Sequence, residues 1–140
     1  DFLLIDLPPG TGDIHLSIIN ELRIGGAIIV STPQQVAVAD VVRGVEMFRN
    51  PNVNIPVLGV VENMAWFTPA ELPNNRYYIF GKGGAKRYAE EVGVDLLGEV
   101  PIIQDIMQGA DDGVPAVNNV PQVAEVYQQI AQKVVDKMAK

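Results

Sequence analysis

Polar side chains that could bind a nucleotide stand at the ends of apolar runs in this sequence. The clearest is Asp6, which follows the run FLLI at residues 2–5. Four consecutive apolar residues predict a buried parallel strand, and its carboxyl end is where open α/β sheets bind ligands. A carboxylate fixed there can hold the water shell of Mg²⁺ on nucleotide phosphates, because this ion keeps most of its waters. Asp6 is therefore the candidate metal-binding residue.

The loop that follows reads LPPGTGD at residues 7–13. Gly10 and Gly12 let the backbone pass close to a ligand and present N–H groups to a terminal phosphate. The two prolines end the strand, and Asp13 is predicted to be the N-cap of a helix that begins at Ile14. By themselves these residues fit a plain strand-turn-helix as well as a nucleotide site.

Two further runs end in polar residues, at Thr32 and at the pair Glu62 and Asn63. If the strands are parallel, as helical crossovers imply, these ends meet at the same sheet edge as Asp6. The carboxamide of Asn63 can donate to and accept from an adenine edge, although an Asn after a strand is also a common turn former. The sequence thus predicts three strand ends converging on one site.

The remaining pattern alternates strands and helices, which is typical of an α/β fold. A loop over 65–75 and a mobile segment over 109–119 interrupt it. The predicted helices are 14–22 (ended by Gly25 and Gly26), 36–48, 85–92, 102–108 and 123–138, and the predicted strands are 27–30, 56–62, 95–100 and a possible short one at 77–80.

Several chemically suggestive residues have simpler interpretations. The segment GKGGAKR at residues 81–87 lacks the Ser or Thr that follows Gly-Lys in a phosphate loop, so it predicts a glycine-rich helix start. His15 has no cysteine or clustered carboxylate to complete a metal set and is predicted on a helix surface. Trp66 and Phe67 predict a loop plug rather than a partner surface. The pair at 111–112 predicts a solvated acidic turn.

Composition narrows the function classes. The 140 residues carry a net charge of −7 with scattered basic residues, which argues against binding nucleic acid or an anionic membrane. There are no cysteines and hence no thiolate metal ligands. No apolar run approaches the roughly 20 residues of a membrane span, and no secretory leader is visible, so a cytoplasmic protein is expected. Because the chain opens directly on a predicted buried strand, we expect it to be part of a longer polypeptide.

Five ordered motifs strongly resemble the Mrp/ApbC family of MinD/ParA-like ATPases, which have a deviant Walker A loop and are implicated as iron–sulfur cluster carriers. The motifs are DLPPGTGD at 6–13, STPQ at 31–34, GVVENM at 59–64, IFGKGGA at 79–85 and LGEVP at 97–101. The resemblance implies a three-layer, Rossmann-like P-loop NTPase fold with a mostly parallel sheet. It also implies that residues 1–140 are the C-terminal part of a single ATPase domain, without its Walker A half.

The resemblance also implies residue roles. Asp6 matches the Walker B or switch II aspartate that acts on magnesium, and Gly10 matches the switch II glycine facing the γ-phosphate. Asn63 matches the adenine-contacting asparagine, and Pro101 belongs to the loop that closes over the base. ATP and Mg²⁺ are the implied cofactors, a nucleotide-dependent homodimer the implied assembly, and apo iron–sulfur proteins the implied clients. The catalytic lysines would lie upstream, so this chain alone is expected to lack ATPase activity.

One departure from the family concerns the cluster. A C-x-x-C pair usually follows the Asn-Met strand, where two subunits can share a cluster, but here that loop reads TPAELPNN at 68–75. Two alternative functions therefore stay open. One is a non-catalytic nucleotide-binding scaffold; the other is a MinD/ParA-like positioning ATPase, which the few cations of residues 123–140 do not favour.

Overall fold

The computed structural model describes residues 1–8 and 12–139. Three strands form one parallel sheet in the order β1-β2-β3. Its elements in chain order are α1 Asp13–Glu21, β1 Ala27–Ser31, α2 Gln35–Arg49, β2 Val57–Phe67, α3 Gly84–Val92, β3 Leu96–Ile102, α4 Gln104–Asp111, a 3₁₀ helix Ala116–Asn118 and α5 Pro121–Met138. The predicted α/β fold and its parallel strands are confirmed.

Helices cover both faces of the sheet, as crossover connections between parallel strands require. On one face α2 and α3 pack on β2 through a core that includes Val45, Val60 and Ala89. On the other face α5 packs on β2 and β3 through Val61, Leu97 and Ile130. The result is the predicted three-layer arrangement, with β2 buried between two strands and two helical layers.

The predicted first strand is wrong. Residues 1–8 contain neither helix nor strand, and the side chains of Phe2, Leu3 and Leu4 are exposed, with Leu3 84% accessible. No described strand pairs with this segment, and an apolar run becomes a buried strand only when a neighbour satisfies its backbone groups. Only Leu7 reaches a core cluster, where it is partly buried against Phe48 and Ile55.

The first helix also differs from its prediction. It ends at Glu21, before the two glycines, and its N-cap is Gly12, which leaves Asp13 inside the first turn. An acidic residue in the first turn still interacts favourably with the helix dipole. The exposed side of α1 carries Ile14 and Leu16, whereas His15, Ile18 and Ile19 share the more buried side at the i, i+3, i+4 spacing.

From β2 onward the structure differs from three further predictions. The strand continues to Phe67, beyond the predicted loop start at residue 65. The possible strand at 77–80 is a single antiparallel bridge, in which Phe67 and Tyr77 exchange two backbone hydrogen bonds of 2.8 Å. The predicted mobile segment 109–119 instead includes the end of α4 and the 3₁₀ helix. Among the helices of residues 1–8 and 12–139, none is long and apolar enough to cross a bilayer.

Candidate functional site

A cleft of about 970 Å³ lies between residues 2–8, α1 and the outer edge of β1. Within the described residues β1 pairs with β2 on one side only, and its other edge faces this cleft. Apolar side chains from both walls line it, among them Leu3, Ile5, Ile28 and Val30. Clefts that combine apolar walls with a few polar groups are the usual form of small-molecule sites.

Polar residues from three separate parts of the chain line this cleft. Ser31 and Thr32 come from the carboxyl end of β1, Asn63 from β2, and Asp6 from the segment that precedes α1. Asp6, Thr32 and Asn63 thus line the same cleft, although Asp6 lies in an irregular segment rather than at the predicted strand end. The carboxylate of Asp6 is exposed and makes no hydrogen bond to any described residue, which leaves its oxygens available to a hydrated cation.

The backbone at Asn63 has an unusual conformation. Its Oδ1 accepts a hydrogen bond of 3.0 Å from the N–H of Met64, and Met64 has a φ of 56°. The pairing of β2 with β3 shifts register between Asn63 and Phe67. Irregularities of this kind re-aim side chains and are frequent beside functional sites. The side-chain nitrogen of Asn63 has no partner in the described part of the chain, so it remains a free donor at the cleft.

Glu62 does not join this cleft, contrary to its predicted place at the same edge. Its side chain is 1% accessible and lies on the opposite face of the sheet, toward α3. There Oε2 accepts hydrogen bonds from the backbone N–H groups of Ala85 at 2.8 Å and Lys86 at 3.4 Å. These are donors that a helix N-terminus otherwise leaves unsatisfied, so Glu62 caps α3 from a position 23 residues earlier in the chain.

This cap explains the glycine-rich segment that precedes α3. Gly83 is left-handed with a φ of 64°, and α3 begins at Gly84, where a side chain would overlap the carbonyl of Pro33. The predicted helix start is thus confirmed. A phosphate at this helix N-terminus would need the same N–H groups that the Glu62 carboxylate occupies.

The structure places only one of the other two predicted site residues. Gly10 lies outside the described residues. Pro101 is buried within β3 rather than in a loop, and it does not line the cleft. It stands one residue beyond Val100, the register partner of Asn63. Its neighbourhood therefore adjoins the cleft through β2.

His15 is not on the helix surface, so that prediction is wrong. The imidazole is 5% accessible, and its Nδ1 has no hydrogen-bond partner among the described residues. The sequence signal that could have placed it correctly is the spacing of residue 15 relative to Ile18 and Ile19, which puts it on the more buried side of α1. No group of three or more potential metal-binding His, Asp or Glu side chains occurs within residues 1–8 and 12–139.

A parallel sheet with helices on both faces, and with polar residues at the carboxyl ends of its strands beside a cleft, is typical of the α/β nucleotide-binding class of proteins. The model of the ParA family, described as NUBPL iron-transfer P-loop NTPase, matches residues 1–135. The chain therefore belongs to this family of P-loop NTPases.

Individual relatives agree with this assignment. The Arabidopsis thaliana protein named iron-sulfur protein required for NADH dehydrogenase, mitochondrial, is 48% identical over 96% of this chain and 43% of its own length. An iron-sulfur cluster carrier protein of Synechocystis is 44% identical, over 96% of this chain and 39% of its own. The chain thus spans less than half the length of these relatives.

A solved structure supports the fold independently. A nucleotide-binding protein from Archaeoglobus fulgidus, in complex with ADP, superposes with a TM-score of 0.68 at 37% identity. The match covers 79% of this chain and 44% of that protein. The layered P-loop NTPase architecture therefore holds for this chain.

Proposed function

We propose that residues 1–140 are the C-terminal part of an ATPase domain that binds Mg²⁺-ATP in the cleft and acts in iron–sulfur cluster assembly or transfer. The observation that carries the proposal is the meeting of Asp6, Thr32 and Asn63 at one cleft. Three polar groups from separate elements at the carboxyl edge of a parallel sheet form a typical nucleotide site. Family membership and the names of the relatives support the role in cluster transfer.

Asp6 and Asn63 would bind the two ends of the nucleotide. The exposed carboxylate of Asp6 suits a hydrated Mg²⁺, held through water rather than by a dedicated cage. When bound, the ion would neutralise charge that develops on the phosphates during transfer. The free side-chain nitrogen of Asn63 would donate to the adenine edge.

Gly10 and Pro101 complete the proposed site. Gly10 would direct its backbone N–H at the terminal phosphate, which a residue without a Cβ can approach closely. Pro101 would support the adenine side from behind the cleft lining, because it is buried in β3 and its neighbour Val100 pairs with Asn63.

The cleft is also consistent with the absence of a phosphate loop from this sequence. The sequence has no G-x-x-x-x-G-K-[ST] phosphate loop, and one wall of the cleft is an unpaired strand edge. We propose that a phosphate-binding strand and loop from another part of the parent protein fill this space. The chain alone would then bind nucleotide poorly and have no ATPase activity.

The iron–sulfur cluster would be cargo rather than a resident group of this chain. No cysteine is present to bind it, so its ligands would come from the rest of the parent protein, a second copy in a homodimer, or an apo client protein. We place this ATPase in the cytoplasm. The absence of cysteine also favours a second candidate, a nucleotide-binding scaffold that keeps the fold without turnover.

The test measures ATP binding and hydrolysis by the full-length parent and by its Asp6→Asn variant, with iron determined after anaerobic cluster reconstitution. We expect Asp6→Asn to lower turnover by about a hundredfold or more, because an electrostatic contribution to catalysis is lost. Asp105→Asn, at an exposed carboxylate on α4, is the matched control and should keep full activity.

The outcomes separate the candidates. Asp6-dependent turnover with retained iron supports the complete proposal. Asp6-dependent turnover without iron keeps the ATPase and rejects the carrier role. No turnover with nucleotide still bound favours the scaffold, and no nucleotide binding rejects both.

A further inference from the structure

Four of the ten basic residues of this acidic protein lie on one segment. Residues 72–89 contain Arg76, Lys82, Lys86 and Arg87 and no acidic residue. The other six basic residues and all 17 acidic residues lie elsewhere in the sequence. A local positive field on a chain with a net charge of −7 attracts negatively charged partners to that place and orients them as they approach.

Exposed aromatic and apolar side chains lie beside these cations. Phe67 at the end of β2 and Tyr77 are held together by the two backbone hydrogen bonds of their bridge. Tyr78 follows, and Ile79 is 60% accessible. We call the surface formed by Phe67, residues 76–79, Lys82, Lys86 and Arg87 the basic-aromatic face.

The cations of this face are ordered but not neutralised. The guanidinium of Arg76 lies 4.1 Å from the centroid of the Trp66 ring, and the ammonium of Lys82 lies 4.8 Å from that of Tyr78. Arg87 donates to the backbone carbonyl of Lys82 at 2.7 Å. The ion pairs within the described residues are Arg43 with Asp40 and Lys137 with Asp95. None of the four cations of the face is therefore paired with a carboxylate of the described residues.

We propose that the basic-aromatic face docks an acidic segment of a partner protein. Carboxylates of that segment would pair with Arg76 and Lys82, whose remaining N–H donors stay available above the rings. Its apolar side chains would pack on Phe67, Tyr77 and Ile79. Charge complementarity supports this occupant, since none of the four cations of the face is paired with a carboxylate of the described residues.

A nucleic acid fits the same face less well. Single strands bind by stacking bases on free aromatic faces, but cations already cover one face of both Trp66 and Tyr78. The docking inference does not rest on the proposed ATPase activity, because it uses neither the cleft nor a nucleotide.

The experiment uses a fluorescein-labelled peptide of alternating glutamate and leucine, titrated with purified protein and followed by fluorescence anisotropy. We expect saturable binding that weakens as salt is raised. Arg76→Glu with Lys82→Glu should weaken it by about tenfold or more, corresponding to about 1.4 kcal/mol. The control pair Arg43→Glu with Lys133→Glu makes the same change in net charge away from the face and should weaken binding less than about twofold.

An apolar pair of variants tests the other half of the face. Ile79→Ser should weaken peptide binding and leave its salt dependence unchanged, whereas Leu3→Ser, at a still more exposed apolar position away from the face, should have no effect. Circular dichroism checks that each variant keeps its helices. Equal weakening by both charge pairs, no peptide binding at all, or tighter binding of an oligo-dT probe at the same face would each overturn the inference.

Discussion

Two apolar runs that each end at a carboxylate differ completely in burial. FLLID at residues 2–6 and LGVVE at residues 58–62 have nearly the same pattern. The first is irregular and exposed, while the second is the centre of β2, with Val60 fully buried and Glu62 1% accessible. Pattern alone therefore does not decide whether a run is buried.

The difference lies in the neighbours available to each run. β2 has a hydrogen-bonded strand on both sides and helices over both faces. Residues 2–6 face β1 only across the cleft, without a strand between them. Backbone N–H and C=O groups must be satisfied before apolar side chains can be buried in a sheet. An apolar run therefore predicts a buried strand only where neighbouring strands are available to satisfy its backbone hydrogen bonds.

The largest expected difference is between two leucine truncations, one in the buried sheet and one in residues 2–6. Leu97 in β3 is fully buried against Val61, so Leu97→Ala should lower the free energy of unfolding by about 2–5 kcal/mol through lost contacts and a residual cavity. Leu3→Ala should change it by less than about 0.5 kcal/mol. Urea unfolding followed by circular dichroism measures both, and equal losses would show that residues 2–6 are packed after all.

The two carboxylates that end these runs, Glu62 and Asp6, should differ less in their effect on stability. Glu62→Ala removes the acceptor of the Ala85 and Lys86 N–H groups, and leaving a buried donor unsatisfied should cost about 1–3 kcal/mol. Glu62→Gln keeps an acceptor oxygen and should cost less. Asp6→Asn should be neutral for stability, since Asp6 makes no hydrogen bond to the described residues. Thermal unfolding ranks the three, and a destabilised Asp6→Asn variant would contradict the exposed placement of that segment.

The smallest effect is a pH dependence from the helical layer over β2. Desolvation by burial, with a contribution from the charge of Glu46, raises the pKa of Tyr88 above its usual 10.0. The folded state therefore holds this proton more tightly than the unfolded state does. Stability from Tyr88 is complete below about pH 10 and is lost as the pH rises through the raised pKa. Urea midpoints across this range should fall less steeply in Tyr88→Phe, and an unchanged slope would reject this assignment.

Much of the layered fold could be predicted because its signals are local. The apolar spacing in α2 and α5 and the short apolar runs of β1 and β3 specify their own structure. The convergence of Thr32 and Asn63 followed from parallel strands alone. The cap by Glu62 could not be predicted, because no spacing rule links a strand end to a helix 23 residues later. The positive φ of Met64 could not be predicted either, because a residue other than glycine rarely adopts this conformation and nothing in the sequence marks the position.

The long strand β2 joins two surfaces that were described separately. Asn63 lines the cleft and Phe67 anchors the basic-aromatic face, and both belong to one uninterrupted strand. At about 3.3 Å per residue the two positions are at most about 13 Å apart along the backbone. Any displacement of Asn63 along the strand must either move Phe67 with it or be absorbed by the backbone dihedrals of residues 64–66. The cleft and the face are therefore joined through one short backbone segment of β2.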